Sequence, residues 1–348
     1  MYLECEIRKK YSSFLLDIAF KTDSKRIGIL GASGSGKSLT LKALAGLMQP
    51  DSGRIVLEGR ILFDKKEKKD LKPKKRGVGY LFQDYALFPD MTVKENIKAA
   101  LHGRKTSGRQ AGKDEDIDEI LNKYDLYSLK DRYPRELSGG EKQMTALSRM
   151  LENSPDLLLL DEPFSSMDSH LREGMRLKLM KYLEEFGRPF ILVSHDRDEI
   201  YQLCDYLILI EKGAVIRQDQ TEKVFSDPKT VSGARLTGCK NISRIERTGD
   251  HRVRALDWGG LELVTKDRVG EDISHIGIRA HDLFPADSGE NLIPCKAPLV
   301  SRLPFEWLVT FDNGLWWKTK RDLGSDEKSV EIPGYLRVLP EKILLLSS

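Results

Sequence analysis

The chain has 348 residues but only four cysteines, Cys5, Cys204, Cys239 and Cys295, and no two stand in a CxxC pair. That scatter argues against a disulfide framework and against a thiolate zinc site. The thiols read as reduced and mostly buried, as in a cytosolic protein. No window approaches the roughly 18 consecutive apolar residues of a membrane helix, and the opening MYLECEIRKK has no apolar stretch resembling a secretory signal. Work at a membrane would therefore require docking on a partner. An excess of one charge is also missing. The 57 Lys and Arg against 54 Asp and Glu leave a formal net charge of +3, so the total demands neither nucleic acid nor an anionic membrane. No repeat of fixed period is present. With 40% hydrophobic and 32% charged residues, disorder over most of the length is excluded. The length implies two domains, or three, at ~100–200 residues each.

What is present is alternation of strand and helix signals. RIGIL at 26–30 is a short apolar run ending at Gly31, and Leu41, Leu44, Ala45 and Met48 recur at helical spacing behind the glycine-rich 31–38. The spacing predicts strand, loop, helix. RIVLEGRILF at 54–63 reads as two short strands about Gly59, and GVGYLF at 77–82 as another. Between them, KKEKKDLKPKKR at 65–76 holds eight basic residues in twelve. No aromatic residues interleave with them, so it reads as a solvated surface loop rather than a nucleic-acid patch.

The stretch 85–155 is mainly helical: a capping box at Thr92–Glu95, a polar loop at 103–113, a helix over 114–124, and another from about Gly140 to Asn153. Strand and helix then alternate again. LLLL at 157–160, FILV at 190–193 and YLILI at 206–210 are fully apolar, as strands buried on both faces are. A helix starting about Asp168 aligns Met175, Leu179, Leu183 and Phe186. After residue 232 short alternating segments follow between Gly, Asp and Asn turns, with Asn313-Gly314 a strong hairpin signal. We read 1–232 as an α/β domain with a helical insert at about 85–155, and 233–348 as a small all-β, barrel-like domain.

GASGSGKS at 31–38 fits G-x-x-x-x-G-K-[ST] in full, with the strand and the helix that the motif requires on either side. Backbone N–H groups across Gly31, Ala32, Ser33, Gly34, Ser35, Gly36, Lys37, Ser38 and Leu39, with the positive end of the following helix, cradle phosphates. Lys37 reaches the β- and γ-phosphates, and Ser38 presents a hydroxyl to Mg²⁺. LLLLDEP at 157–163 supplies a metal-side carboxylate, Asp161, at a strand end. The adjacent Glu162 faces another spot, where a carboxylate can polarise an attacking water. LSGGE at 137–141 is itself a capping box. Its two glycines weaken a helix start by ~1 kcal/mol each, which makes sense where a phosphate must approach the backbone.

The phosphate loop, LFQ ending at Gln83, LSGGE, LLLLDEP, SSMD and SH at 194–195, in that order, resemble ATP-binding cassette (ABC) ATPases over roughly residues 1–230. The resemblance implies ATP and Mg²⁺ as ligands. It implies that Gln83 senses the γ-phosphate and Mg²⁺, that Glu162 is the general base, that Asp168 lies in a loop signalling across a dimer, and that His195 contacts the γ-phosphate. It places an aromatic on adenine, Tyr11 with Phe14 as competitor. Ser138, Gly139 and Gly140 would serve a nucleotide held by a second copy of the chain. The family usually ends its signature in Gln where this chain has Glu141. Activity is expected to survive that departure, with Glu141 either weakening ATP binding or capping its own helix.

One cassette without a membrane span or coiled coil leaves a detached ATPase subunit. DYALFPDMTVKENI at 84–97 and IGIRAHDL at 276–283 resemble importer subunits for oxyanions, sugars and polyamines. ENLIPCKA and NGLWWKTK bring it nearest the molybdate, tungstate and sulfate type, whose tail resembles oligonucleotide-binding-like or molybdate-binding-like domains. The implied partners are a second copy, membrane permease subunits and, indirectly, a solute-binding protein, at the cytoplasmic face of the membrane. No nucleic acid is expected. A sugar or polyamine importer stands as the alternative, and behind it a non-transport cassette ATPase acting on nucleic acid. Lys318, Lys320 and Arg321 would supply the charge if the tail senses an oxyanion.

Overall fold

The computed structural model describes residues 2–106, 117–165, 169–321 and 330–348. It divides into two compact units, Met1–Thr221 and Glu222–Ser348, a division that falls before 232 because two short helices belong to the second unit.

The first unit is built on one eleven-stranded sheet. In chain order its strands are Leu3–Lys10 (β1), Leu15–Thr22 (β2), Arg26–Leu30 (β3), Ser52–Leu57 (β4), Arg60–Asp64 (β5), Lys69–Asp70 (β6), Val78–Leu81 (β7), Leu157–Asp161 (β8), Phe190–Ser194 (β9), Tyr206–Glu211 (β10) and Ala214–Gln220 (β11). They lie in the order β6-β5-β4-β1-β2-β11-β10-β3-β9-β8-β7. The run β10-β3-β9-β8-β7 is parallel, and every residue of β8 and β9 is buried, as parallel strands covered on both faces must be. The β1, β2, β4 and β5 wing is antiparallel, and β2 alternates exposed and buried residues without a break.

Helices Lys37–Ala45 (α1), Pro73–Arg76 (α2), Val93–Thr106 (α3), Ile117–Lys123 (α4), Gly139–Glu152 (α5), Ser169–Phe186 (α6) and Arg197–Leu203 (α7) complete the unit. Three of them, α3 to α5, form the insert between β7 and β8. Of the polar loop expected at 103–113, residues 103–106 instead continue α3; the rest of that stretch lies outside the described residues, as does Asp168. The capping box at the start of α3 is made: Thr92 N donates to Glu95 Oε2 at 2.8 Å and Glu95 N to Thr92 Oγ1 at 3.3 Å.

The basic run is not one loop, since it includes β6 and α2, but its cations are solvated with one exception. Arg76 is fully buried and donates to the carbonyl oxygens of Ala43 (2.6 Å) and Leu44 (2.9 Å) at the end of α1, to Leu71 O (2.8 Å) and to Asp70 (2.8 Å). Orphan carbonyls at a helix C-terminus attract a cation, and this guanidinium ties α1 to α2.

The register of the central strands positions the site. Leu30 pairs with Ser194 and Asp161 with Val193. The carboxyl ends of β3, β9 and β8 therefore lie side by side, and the residues that follow them emerge at one edge, where ligands bind in such sheets.

Among its described residues the second unit is all-β apart from Thr221–Ser226 (α8), which begins at the division, Val231–Leu236 (α9) and two 3₁₀ turns. Its strands form one five-stranded and two three-stranded sheets, every pair antiparallel. The three sheets share one core, including Val253, Ile276, Ile293, Val309, Trp317 and Leu336. Asn313-Gly314 turns the hairpin between Glu306–Thr310 and Trp316–Lys320. In the IGIRAHDL segment Ile276 and Ile278 are core, while Arg279 donates to the carbonyl oxygens of Thr237 (2.7 Å) and Phe225, holding the ends of α9 and α8. Cys5, Cys204 and Cys239 are buried and free; burial pushes the Cys239 thiol up to about 11.

Candidate active site

The loop between β3 and α1 is fitted tightly to its surroundings. A Cβ on Gly31 would lie 2.3 Å from the Ile210 carbonyl oxygen. Gly36, at φ 107°, caps α1 in a conformation that other residues avoid, and a Cβ there would meet Leu16 at 2.6 Å. Ala32, Ser33 and Gly34 are exposed, whereas Ser35, Gly36 and Lys37 are buried and Ser38 and Leu39 half-buried. The Ser35 hydroxyl is buried with no hydrogen-bond partner among the described residues. A polar atom left in that state beneath an exposed loop is one that a bound group can satisfy.

Lys37 is 4% exposed. Its ammonium donates to Gly31 O at 2.8 Å and Ala32 O at 3.0 Å, and lies 3.9 Å from Glu162 Oε1. Burial holds it below the usual lysine range, opposed by the carboxylates of Glu162 and Asp161. Ser38 Oγ donates to Asp161 Oδ1 at 2.8 Å. The other Asp161 oxygen accepts from Tyr80 OH at 2.7 Å, and burial followed by that carboxylate pushes the Tyr80 phenol far up. Tyr80 was not singled out in the sequence. Its only signal was its place in strand β7, because the contact that gives it a role is 81 residues away.

Glu162 follows Asp161 with φ 47°, a left-handed backbone that costs a non-glycine residue roughly 1 kcal/mol or more and concentrates at functional sites. Its N–H donates to Val193 O at 3.0 Å. The turn throws its side chain away from Asp161's, with Oε1 toward Lys37 and Oε2 3.4 Å from His195 Nδ1. His195 is exposed. The preceding Ser194 donates to Glu199 Oε2 at 2.6 Å and accepts from Asp196 N at 2.9 Å, so the backbone on both sides of His195 is held. Gln83 reaches neither Ser38 nor Asp161 by a hydrogen bond. Its Nε2 donates to Ser165 Oγ at 3.3 Å, and that hydroxyl donates to Glu162 O at 3.0 Å.

The remaining predicted residues stand apart. Tyr11 is 36% exposed, its ring 6.3 Å from that of Phe14, and both line a cavity of about 660 Å³ with Arg8, Lys10 and Ser12. Phe14 is the ring nearer the phosphate loop: its Cζ would touch a Cβ on Gly36 at 3.3 Å. Ser138, Gly139 and Gly140 have no hydrogen bond to 31–38 among the described residues. Ser138 and Gly139 are exposed. Glu141 caps its own helix, taking the Ser138 N–H at 2.7 Å while Ser138 Oγ accepts from Glu141 N at 3.4 Å.

A glycine-rich phosphate cradle, its lysine, a hydroxyl–carboxylate pair and a second carboxylate against a histidine thus share one edge of the sheet. Residues 17–165 match the family model described as ABC transporter. The chain is 36% identical over 297 residues to the Fe(3+) ions import ATP-binding protein of Haemophilus influenzae, covering 85% of this chain and 82% of that one. The chain belongs to the ABC transporter family. It is also 37% identical over 226 residues to the molybdenum import ATP-binding protein of Rhodospirillum rubrum, covering 65% of this chain but only 60% of that relative. Among solved structures it resembles the dimeric post-hydrolysis state of the ATP-binding cassette MJ0796 bound to ADP and Pi, at 26% identity and a TM-score of 0.52, over 64% of this chain and 99% of that one. The family binds and hydrolyses ATP, which accounts for the cradle at 31–38. Among the described residues no helix is long and apolar enough to cross a membrane.

Proposed function

We propose that this chain is the ATP-hydrolysing subunit of a membrane importer, working at the cytoplasmic face through permease subunits. The observation that carries the reading is the convergence of Lys37, the Ser38–Asp161 pair and the Glu162–His195 pair on the three aligned strand ends. Lys37 is buried and already surrounded by oxygen, so incoming phosphate oxygens would replace the Gly31 and Ala32 carbonyls as its partners. Glu162 accepts the proton of an attacking water. Lys37 lies 3.9 Å from one of its oxygens and His195 3.4 Å from the other.

Ser38 and Asp161 are hard oxygen donors 2.8 Å apart, a pair that fits Mg²⁺, which takes one or two protein oxygens and completes its shell with phosphates and water. When bound, the cation offsets charge on the departing phosphates. Gln83 joins this group if it exchanges Ser165 for the metal side. Tyr11 or Phe14 holds the base, the cavity they line being the neighbouring space. Ser138, exposed just before α5, and the half-buried Gly140 behind it would serve a nucleotide held by a second copy.

As cargo we propose a tetrahedral oxyanion, molybdate or tungstate first and sulfate next. The support is the resemblance of segments within 276–321, and a relative named for molybdenum import. Lys318 is paired with Glu306 at 2.7 Å and Arg321 lies over the Trp307 ring at 5.5 Å, so both are engaged within their own sheet and we assign them no anion-sensing role. The test is uptake by the chain co-purified with its permease and reconstituted with the binding protein. Labelled molybdate, tungstate or sulfate should be taken up only with Mg-ATP. Uptake of a sugar, a polyamine or iron(III) with none of the oxyanions would overturn the cargo and leave the ATPase.

A further inference from the structure

Helix α5 carries Ser138 at its start, and eleven residues further, about 16 Å along at 1.5 Å per residue, it carries Arg149. Arg149 is half-buried. One of its terminal nitrogens donates to Ala86 O at 2.7 Å and to Tyr85 O at 3.3 Å, and the other to Asn96 Oδ1 at 3.4 Å. Its guanidinium sits 5.0 Å from the centre of the Phe88 ring. No carboxylate among the described residues pairs with it, and burial alone holds it below the usual arginine range. Carbonyl dipoles, an amide and an aromatic face stand in for a counter-ion.

The backbone it grips is strained. Tyr85 and Ala86, two and three residues after Gln83, are consecutive non-glycine residues at φ 63° and 43°, each costing about 1–3 kcal/mol unless its surroundings hold it. Fully buried Asn96 of α3 braces the same segment from the other side. It donates to the carbonyl oxygens of Phe88, Met91 and Thr92 at 3.1, 3.0 and 3.1 Å, and accepts from Phe88 N at 2.9 Å. The tip of this braced segment is apolar and open, with Phe88 47% and Met91 37% exposed.

We infer that Arg149 is a positioning residue that locks the segment after Gln83 to the helix that begins at Ser138, so that Gln83, at this chain's own nucleotide, and Ser138, at the nucleotide of a second copy, move as one piece when the Phe88–Met91 tip is pushed. The inference rests on the ATPase reading, because the two ends it joins matter only if Gln83 and Ser138 attend a nucleotide. A guanidinium is required. Its planar fork reaches three acceptors from two nitrogens while lying over a ring, which an ammonium cannot do.

The test compares the full wild-type chain with Arg149→Ala. The readouts are steady-state Mg-ATP turnover, the stoichiometry of AMP-PNP binding, and hydrogen exchange. Turnover per chain that binds AMP-PNP should fall about 3- to 30-fold, the range of such couplings, with KM for ATP within about twofold. Exchange over 84–92 should quicken while that over 31–45 stays as in wild type. Arg149→Lys keeps charge and stem and should show the same pattern, so it carries the test if the alanine variant does not fold. Wild-type turnover per binding chain with unchanged exchange over 84–92 would overturn the inference. So would exchange quickened equally throughout the first unit, which marks a fold defect only. A wild-type chain that turns over no ATP would sink the ATPase reading instead, while the exchange over 84–92 would still report whether Arg149 holds that segment.

Discussion

Glu199 shows how a residue outside the motifs supports the backbone beside the candidate site. It is buried, and its carboxylate takes the Ser194 hydroxyl at 2.6 Å directly beside His195. Burial lifts its carboxyl above the usual carboxylate range, opposed by the Ser194 bond; Asp196 adds to the rise, and Arg172 and His195 oppose it. A carboxyl raised on folding contributes stability that is fully present below its unfolded pKa of about 4.3 and is lost as pH rises through the folded value. Glu199→Gln keeps an acceptor for Ser194 and removes the buried charge. Its thermal midpoint relative to wild type should therefore rise between about pH 4 and pH 8; a difference that falls over that range would contradict the assignment. Residues such as Lys37, Ser38, Asp161 and Glu162 were legible because each sits in a short contiguous pattern. Glu199, Tyr80 and Arg149 were not, since each acts through a contact that only the fold creates. Arg76 was read as the last of eight solvated cations; composition cannot say which cation of a run turns inward to meet the carbonyls of α1.

Among elements, the apolar runs that became β3, β8, β9 and β10 announced themselves because strands buried on both faces have little choice of residue. Two helices of the insert, α3 and α5, were legible from their capping boxes. The second unit was legible as β structure but not as three sheets, because its pairings are non-local: His275–Ile278 lies between Asn241–Gly249 and the last strand, Leu344–Leu346, and alternation alone does not choose partners. The start of α5 resolves the departure in the signature. Glu141 spends its side chain on the Ser138 N–H, a bond that glutamine also makes in a capping box. Glu141→Gln is therefore expected to keep ATP turnover within about twofold and the unfolding midpoint unchanged. Glu141→Ala should lower stability by about 0.5–2 kcal/mol, in the range of a lost cap. A large gain in turnover for the glutamine variant would show instead that the native carboxylate repels the nucleotide.

At the scale of the whole molecule, the two-copy site proposed above, with the Ser138–Gly140 start of α5 serving a nucleotide on a second chain, makes a prediction about assembly. The Glu162→Gln chain with Mg-ATP should sediment as a dimer and with ADP as a monomer. A monomer under both conditions would remove the two-copy site, and a dimer under both would mean contacts independent of nucleotide. The central claim is that holding ATP and cleaving it fall to different side chains of this one chain. The measurement that reaches it most directly is ATP binding and phosphate release on the same preparation of Glu162→Gln. The account predicts binding close to wild type and turnover lower by about 10²–10⁴-fold, the usual loss of a general base. Wild-type turnover in that variant, or turnover lost only because ATP no longer binds, would contradict it.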